Sequence, residues 1–205
     1  MPKPSSAYVD GWLYAMVFDR LLAPIHRFVA KQVAGADQVI DVCCGTGSLA
    51  RRLASRCHRV MGVDLSPRMI RHAKRRCAAL GLDNAEFQVR DASDLADIDD
   101  GAFEAATLVL GLHEMPPALR ANVLAETLRV SQRALIVDYA VPLPRNWVSG
   151  LCVAAEIACG PRHLGHFVSY NRRRGLDGYS KFEGLPAAHP CLEASEQPRI
   201  RHYHP

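Results

Sequence analysis

Apolar and polar positions along this chain fall into two kinds of block. Short segments at residues 39–43, 59–64, 85–90, 105–110 and 134–139 read as strands, with 105–110 apolar enough throughout to be a buried one. Longer amphipathic blocks separate them. Residues 48–56 and 117–130 read as helices, and so do residues 67–80, where Ser66 is a plausible N-cap, Pro67 takes the first helical position and Gly81 closes the element. A polar, aspartate-rich stretch at 92–101 reads as a loop. Strand and helix in such steady alternation predict an α/β fold: a doubly wound, Rossmann-like, mostly parallel sheet with helices on both faces. Ahead of it, Trp12, Val17, Leu21 and Leu22 recur at helical spacing until Pro24 interrupts, which predicts two helices over 8–33. Residues 144–159 look helical. From 161 to 205 the chain is dense in Arg, His, Gly and Pro, and only 200–203 suggests a strand.

Composition narrows the picture without changing it. With 205 residues, 49% of them hydrophobic, the chain suits a single domain. We divide it into a helical lid over 1–36, a cofactor-binding core over 37–140, and a substrate-side helix with an irregular tail over 141–205. The first residues lack the basic patch and apolar run of a secretory signal, and no apolar stretch is long enough to cross a bilayer, so a soluble, cytoplasmic protein without stable membrane insertion is expected. Seven cysteines without a repeated Cys-x-x-Cys spacing read as free thiols. The formal charge of +4 is modest, and its densest contribution, around Arg71, Lys74 and Arg75, lies on a predicted helix. That pattern reads as a solvated helix face, so no nucleic-acid partner is expected.

The chemistry concentrates between residues 39 and 50. Asp41 lies near the end of a strand, four residues before the turn Gly45-Thr46-Gly47 that opens a helix. Glycines let a ligand approach the backbone, and the helix start offers unpaired N–H donors. Gly45, Gly47 and Ala50 also satisfy the dinucleotide fingerprint, with Asp64 where an acid would bind ribose hydroxyls, so an NAD(P)-binding oxidoreductase stays open. A pyrophosphate has no use for Asp41, whereas a ligand carrying an ammonium group does. Asp91 and Ala92, after the third strand, lie where an adenine would cross the sheet edge.

These residues, Asp-Val-Cys-Cys-Gly-Thr-Gly followed by Asp64-Leu65-Ser66-Pro67-Arg68-Met69, resemble the class I S-adenosylmethionine-dependent methyltransferases. The likeness covers roughly residues 8–140 and is greatest toward the ubiquinone/menaquinone C-methyltransferase-like branch. It implies a seven-stranded sheet, S-adenosyl-L-methionine as cofactor and a small, apolar or aromatic methyl acceptor. It also implies that Asp41, Cys43, Gly45, Thr46 and Gly47 hold the methionine part, Asp64 the ribose, and Leu65, Met69, Asp91 and Ala92 the adenine. Cys43 stands where many members have a glycine, and with Cys44 it reads as a small residue packed under the loop. Where the quinone-methylating enzymes are expected to carry Gly-Leu-Arg-Asn, this chain has Gly111-Leu112-His113-Glu114, which puts a quinone acceptor in doubt. The family sheet ends with a helix and two strands. A tail with one convincing strand therefore predicts an incomplete C-terminal edge, a bare fifth strand and a possible homodimer across it, and a non-catalytic S-adenosylmethionine-binding or interaction protein stays open beside the enzyme.

On the acceptor side, His113 follows the fourth strand and is the candidate catalytic residue, as general base or substrate contact. Asp138 and Tyr139 end the fifth strand facing the same crevice. Tyr8, Trp12 and Tyr14 read as helix core or as a lid. His163 and His166, with His189, Cys191, His202 and His204, invite a metal reading, but no matching carboxylate lies near in sequence, so no metal site is expected. Arg172, Arg173 and Arg174 beside Tyr170 read as a solvated turn, with an anion clamp as the alternative.

Overall fold

The computed structural model describes residues 19–145, 147–179, 189–190 and 199–203. Its elements follow one another as α1 (Ala23–Gln32), β1 (Gln38–Val42), α2 (Ser48–Ala54), β2 (Arg59–Asp64), α3 (Pro67–Ala79), β3 (Ala85–Val89), β4 (Ala105–Val109), a 3-10 turn (Leu112–Glu114), α4 (Pro117–Arg129), β5 (Ala134–Asp138), α5 (Trp147–Ala158), α6 (Pro161–Arg172), a second 3-10 turn (Gly175–Tyr179), β6 (His189–Pro190) and β7 (Arg199–Tyr203). The strands form one sheet in the order β3-β2-β1-β4-β5-β7-β6. The pairs β1·β2, β1·β4, β2·β3 and β4·β5 are parallel, and β7 runs antiparallel to β5 and β6.

The strand order reverses between β1 and β4, and there the connections leave on opposite faces and open a crevice at the carboxyl ends. Alternating side chains feed two cores. Val39, Leu135 and Val137 pack with Val29, Leu49, Leu53, Ile70 and Ala73 of α1 to α3. Ile40, Val42 and Ile136 face the other side, against Val123 and Leu124 of α4 and Tyr170 of α6. Each fully buried side chain of this kind contributes about 1.5–3 kcal/mol of transfer free energy.

Local signals act as expected at α3: the Ser66 hydroxyl accepts from the Met69 N–H, with Pro67 at the first helical position. Residues 19–21 are helical, Leu22 is a turn, and α1 starts afresh with Pro24 in its first turn, so the helical segment is interrupted where Pro24 predicted; the missing N–H costs nothing in a first turn. Tyr8, Trp12 and Tyr14 lie outside the described residues, as do Cys191 and His204.

Two expectations for the tail are corrected. Residues 161–172 form the helix α6, capped by Gly160 at φ 101°. Its Arg, His and Gly content masked an amphipathic pattern whose buried members are Phe167 and Tyr170. Nor is the edge of β5 bare. Residues 134–138 pair in full register with 203–199 of β7, which lies between β5 and β6. The sheet is completed within the chain, and the ground for a homodimer across that edge disappears.

Candidate functional site

The loop after β1 is shaped by three left-handed residues, Cys43 (φ 58°), Gly45 (φ 52°) and Gly47 (φ 70°). Cys43 tolerates a conformation that glycine adopts without cost. Its Cβ would lie 3.2 Å from one built on Gly111, so the two loops meet with no room for a side chain at 111. Gly47 caps α2, and its N–H donates to the Cys44 carbonyl at 2.9 Å. At Gly45, by contrast, a Cβ would meet nothing within 4 Å, so the backbone there fronts open space.

Asp64 ties this loop to the end of β2: its Oδ2 accepts from the Gly45 N–H at 2.9 Å and its Oδ1 from the Ser66 N–H at 2.8 Å. Each oxygen keeps a lone pair for a further donor. Asp41 is 2% exposed; its Oδ1 accepts from the Thr107 hydroxyl at 2.8 Å, and its Oδ2 is buried without a hydrogen-bond partner. Burial pushes this carboxyl up to about 7, helped by the charge of Asp64 and opposed by the Thr107 bond. Thr46 bonds Asp19 at 2.8 Å, and Arg51 joins the same carboxylate at 3.6 Å. Asp19 was not singled out in the sequence, because only the folded loop brings it to Thr46.

Further along the sheet edge Leu65 is 63% and Val89 50% exposed, unusual for strand-end apolar residues and suited to an aromatic ring. Met69 is half-buried, Ala92 is buried, and exposed Asp91 turns its Oδ1 to the Ser93 N–H and hydroxyl. Burial pushes the thiols of Cys43 and Cys44 well above the ordinary range, as their packing under the loop requires. Neither has the thiolate character of a reactive cysteine.

A second cluster lies beyond β4 and β5. Asp138, fully buried, accepts from the Leu112 and His113 N–H groups at 2.9 and 3.3 Å, from the Tyr139 N–H at 2.8 Å, and pairs with His113 Nδ1 at 2.7 Å. His113 Nε2 then faces Glu156 Oε1 at 3.5 Å and Glu114 Oε1 at 3.9 Å. Glu156, on α5 and 3% exposed, also accepts from the Tyr139 hydroxyl at 3.1 Å and meets His163 Nε2 at 2.6 Å. Burial works against the imidazolium of His113, but the charges of Asp138, Glu114 and Glu156 and the Asp138 hydrogen bond outweigh it and raise its pKa to about 9. The surrounding carboxylates favour the charged imidazole, which weighs against His113 as a general base of ordinary basicity.

The same cluster overturns the premise used against a metal at His163. Carboxylates absent from its sequence neighbourhood arrive from α5 and from the 3-10 turn. His166 turns away, bonding the Glu114 carbonyl through Nδ1 at 2.7 Å. The side chains of His189 and His202, in β6 and β7, are not described. Arg172, Arg173 and Arg174 are exposed, while Tyr170 is fully buried beneath the Arg120 guanidinium, 5.3 Å from its ring centroid. Among the described residues no helix is long and apolar enough to cross a membrane.

Comparison with known proteins places this geometry. Residues 39–133 match a family model described as a methyltransferase domain. The chain is 33% identical over 140 residues to a demethylmenaquinone methyltransferase from Clavibacter sepedonicus, covering 67% of this chain and 56% of that protein. It is 29% identical over 130 residues to a ubiquinone/menaquinone biosynthesis C-methyltransferase from Citrifermentans bemidjiense, covering 57% and 52%. The chain thus spans about half the length of these relatives. Among solved structures, an S-adenosylmethionine-dependent methyltransferase from Aquifex aeolicus superposes with a TM-score of 0.59 at 16% identity, covering 87% of this chain and 88% of that one, and so shares the fold. The glycine loop with its acids, the sheet order and these matches agree: the chain belongs to the class I S-adenosylmethionine-dependent methyltransferases, in the branch most similar to the ubiquinone/menaquinone C-methyltransferases.

Proposed function

We propose that the chain transfers a methyl group from S-adenosyl-L-methionine to a small, apolar or aromatic acceptor. The observation that carries this reading is the buried Asp41, with an unpartnered carboxylate oxygen, beneath a loop whose Gly45 fronts open space. A pyrophosphate would be repelled by that carboxylate, whereas an ammonium group would be attracted. The residues therefore fit the cofactor. Asp41, Cys43, Gly45, Thr46 and Gly47 would surround its methionine part, with backbone N–H groups and a buried acid as the recognising chemistry. Asp64 would accept from the ribose hydroxyls through its remaining lone pairs. Leu65 and Met69, with Asp91 and Ala92, would flank the adenine.

When bound, the cofactor supplies an electrophilic methyl group on a sulfonium. What this chain adds is alignment and exclusion of water. His113 is assigned to the acceptor side, held rigidly by Asp138 in a wall that Tyr139 and Phe167 continue, their rings 5.3 Å apart. This aromatic wall favours an apolar or aromatic acceptor. Its histidine and glutamates, in place of arginine and asparagine, argue for a group other than the quinone ring of the relatives.

Calorimetry with S-adenosylmethionine, S-adenosylhomocysteine and NAD tests the cofactor, and release of labelled methyl over a panel of phenols, quinols and small heteroaromatics tests the transfer. Binding of the two methionine-derived ligands without NAD is expected. NAD binding alone would replace the proposal with an oxidoreductase, and cofactor binding without transfer to any acceptor would make this a binding protein.

A further inference from the structure

We infer that His113, Glu114, His163 and Glu156 form a site for one divalent first-row transition ion of the Zn2+ or Co2+ kind. Three separate elements deliver them: the 3-10 turn after β4, α5 and α6. One ligand atom each from His113, Glu114 and His163 lies within 4.8 Å of the others. Glu156 joins them, with one oxygen 3.5 Å from His113 Nε2 and the other 2.6 Å from His163 Nε2. Ligands about 2.0–2.2 Å from Zn2+ stand about 3–4 Å from one another, so closing the shell takes a contraction of the Glu114 corner by less than about an ångström and an opening of the 2.6 Å Glu156–His163 pair by a similar amount.

Two further observations separate this cluster from a chance ion pair. The first is the histidine's back side. Asp138 binds His113 Nδ1 at 2.7 Å and is itself held by three backbone N–H groups, which aims Nε2 at the glutamates, where a bound cation would take the place of the Nε2 proton. A carboxylate behind a histidine is the arrangement that fixes a metal-binding tautomer. The second is incomplete satisfaction. Glu156 is 3% exposed, yet its Oε2 and the facing His163 Nε2 are both buried without a hydrogen bond of acceptable geometry. These two atoms meet one another in a 2.6 Å ion pair, and a cation entering between them and His113 would bind both in its place. Two imidazoles with one or two carboxylates suit Zn2+, Co2+ or Fe2+ over Mg2+ or Ca2+, which prefer all-oxygen shells. Glu114, whose side chain is 29% exposed, is the ligand nearest solvent.

The site shares His113 with the proposed acceptor side, and it is tested without methyl transfer. The full chain, stripped with a chelator and shown to retain S-adenosylhomocysteine binding, is titrated with Zn2+ against a chromophoric chelator and with Co2+ by visible absorption. One equivalent should bind, with d–d bands and no thiolate charge-transfer band in the near ultraviolet. His163→Ala and Glu156→Gln should each weaken Zn2+ at least tenfold. Asp138→Asn, a positioning change, should weaken it by about 10–100-fold. Thermal unfolding and S-adenosylhomocysteine affinity of each variant show that it is folded. Failure of the parent protein to bind an equivalent overturns the inference. So does undiminished affinity in both His163→Ala and Glu156→Gln, or a thiolate band, which would assign the ion to cysteines.

Discussion

Two alanine substitutions two residues apart, Gly45→Ala and Gly47→Ala, should fail in different ways. At Gly47 the φ of 70° costs an L-residue about 1–2 kcal/mol. The new Cβ would also lie 2.8 Å from the Ala73 Cβ and 2.9 Å from Phe87 Cε1, in a packed core that can move only by shifting α3 or β3. Overpacking of that kind costs about 1–3 kcal/mol. The stiffer unfolded chain returns about 0.4–1 kcal/mol. The net loss for Gly47→Ala is therefore about 2–4 kcal/mol, which lowers Tm by roughly 4–16 °C at this chain length. At Gly45 the left-handed term is present, at φ 52°, but no atom lies within 4 Å of the added Cβ. Stability should fall by only about 0.5–1.5 kcal/mol. That methyl instead enters the space assigned to the methionine part of the cofactor, so S-adenosylhomocysteine should bind tenfold more weakly or worse, about 1.4 kcal/mol. Differential scanning fluorimetry and calorimetry measure the two quantities on the same samples. Parental affinity in Gly45→Ala would show that the cofactor does not approach this loop, and an unshifted Tm in Gly47→Ala would show that the packing argument is mistaken.

Three other outcomes follow from the same contacts. Asp64→Ala should weaken S-adenosylhomocysteine by about 1–3 kcal/mol, the scale of a hydrogen bond to a charged acceptor, while also loosening the Gly45 and Ser66 N–H groups it now holds; unchanged calorimetric affinity would mean that the ribose lies elsewhere. The Asp41 carboxyl titrates near 7 in the fold against an ordinary 3.8, so the folded state holds its proton more tightly, and the stability it contributes is full below about 4 and lost as pH rises to about 7. Asp41→Asn should accordingly gain stability relative to the parent across that window and run parallel to it above, as read by urea unfolding at a series of pH values; a difference that does not vary with pH would refute the burial argument. Arg120, fully buried, donates to the Leu112 and His166 carbonyls at 2.9 and 2.7 Å. Arg120→Met should leave both acceptors unsatisfied at about 1–3 kcal/mol each, a loss that urea unfolding would reveal, and stability within about 0.5 kcal/mol of the parent would show that water replaces the guanidinium.

Much of the loop after β1 was legible in the sequence because it is local. Asp41, Gly45, Gly47 and Asp64 sit on one βαβ unit, where strand length and a two-glycine turn determine how loop and acid meet, and Gly45 N–H to Asp64 Oδ2 is the contact that results. The alternation of strand and helix announced the parallel core in the same local way. Ser66 and Pro67 marked the start of α3 through backbone chemistry that needs no distant partner. The acceptor side obeyed no such rule. His113, Asp138, Glu156 and His163 span 51 positions and four elements, and only the packing of α5 and α6 over the carboxyl ends of β4 and β5 makes them neighbours. Their charges then alter one another, so that the pKa of a histidine of ordinary basicity on paper is pushed up by the carboxylates around it. The closing of the sheet was likewise a tertiary decision. Residues 200–203 already suggested a strand, but its antiparallel pairing with the edge of β5 could not be read from those residues alone. Short-range geometry wrote the cofactor loop into the sequence, whereas long-range packing assembled the cluster beside it.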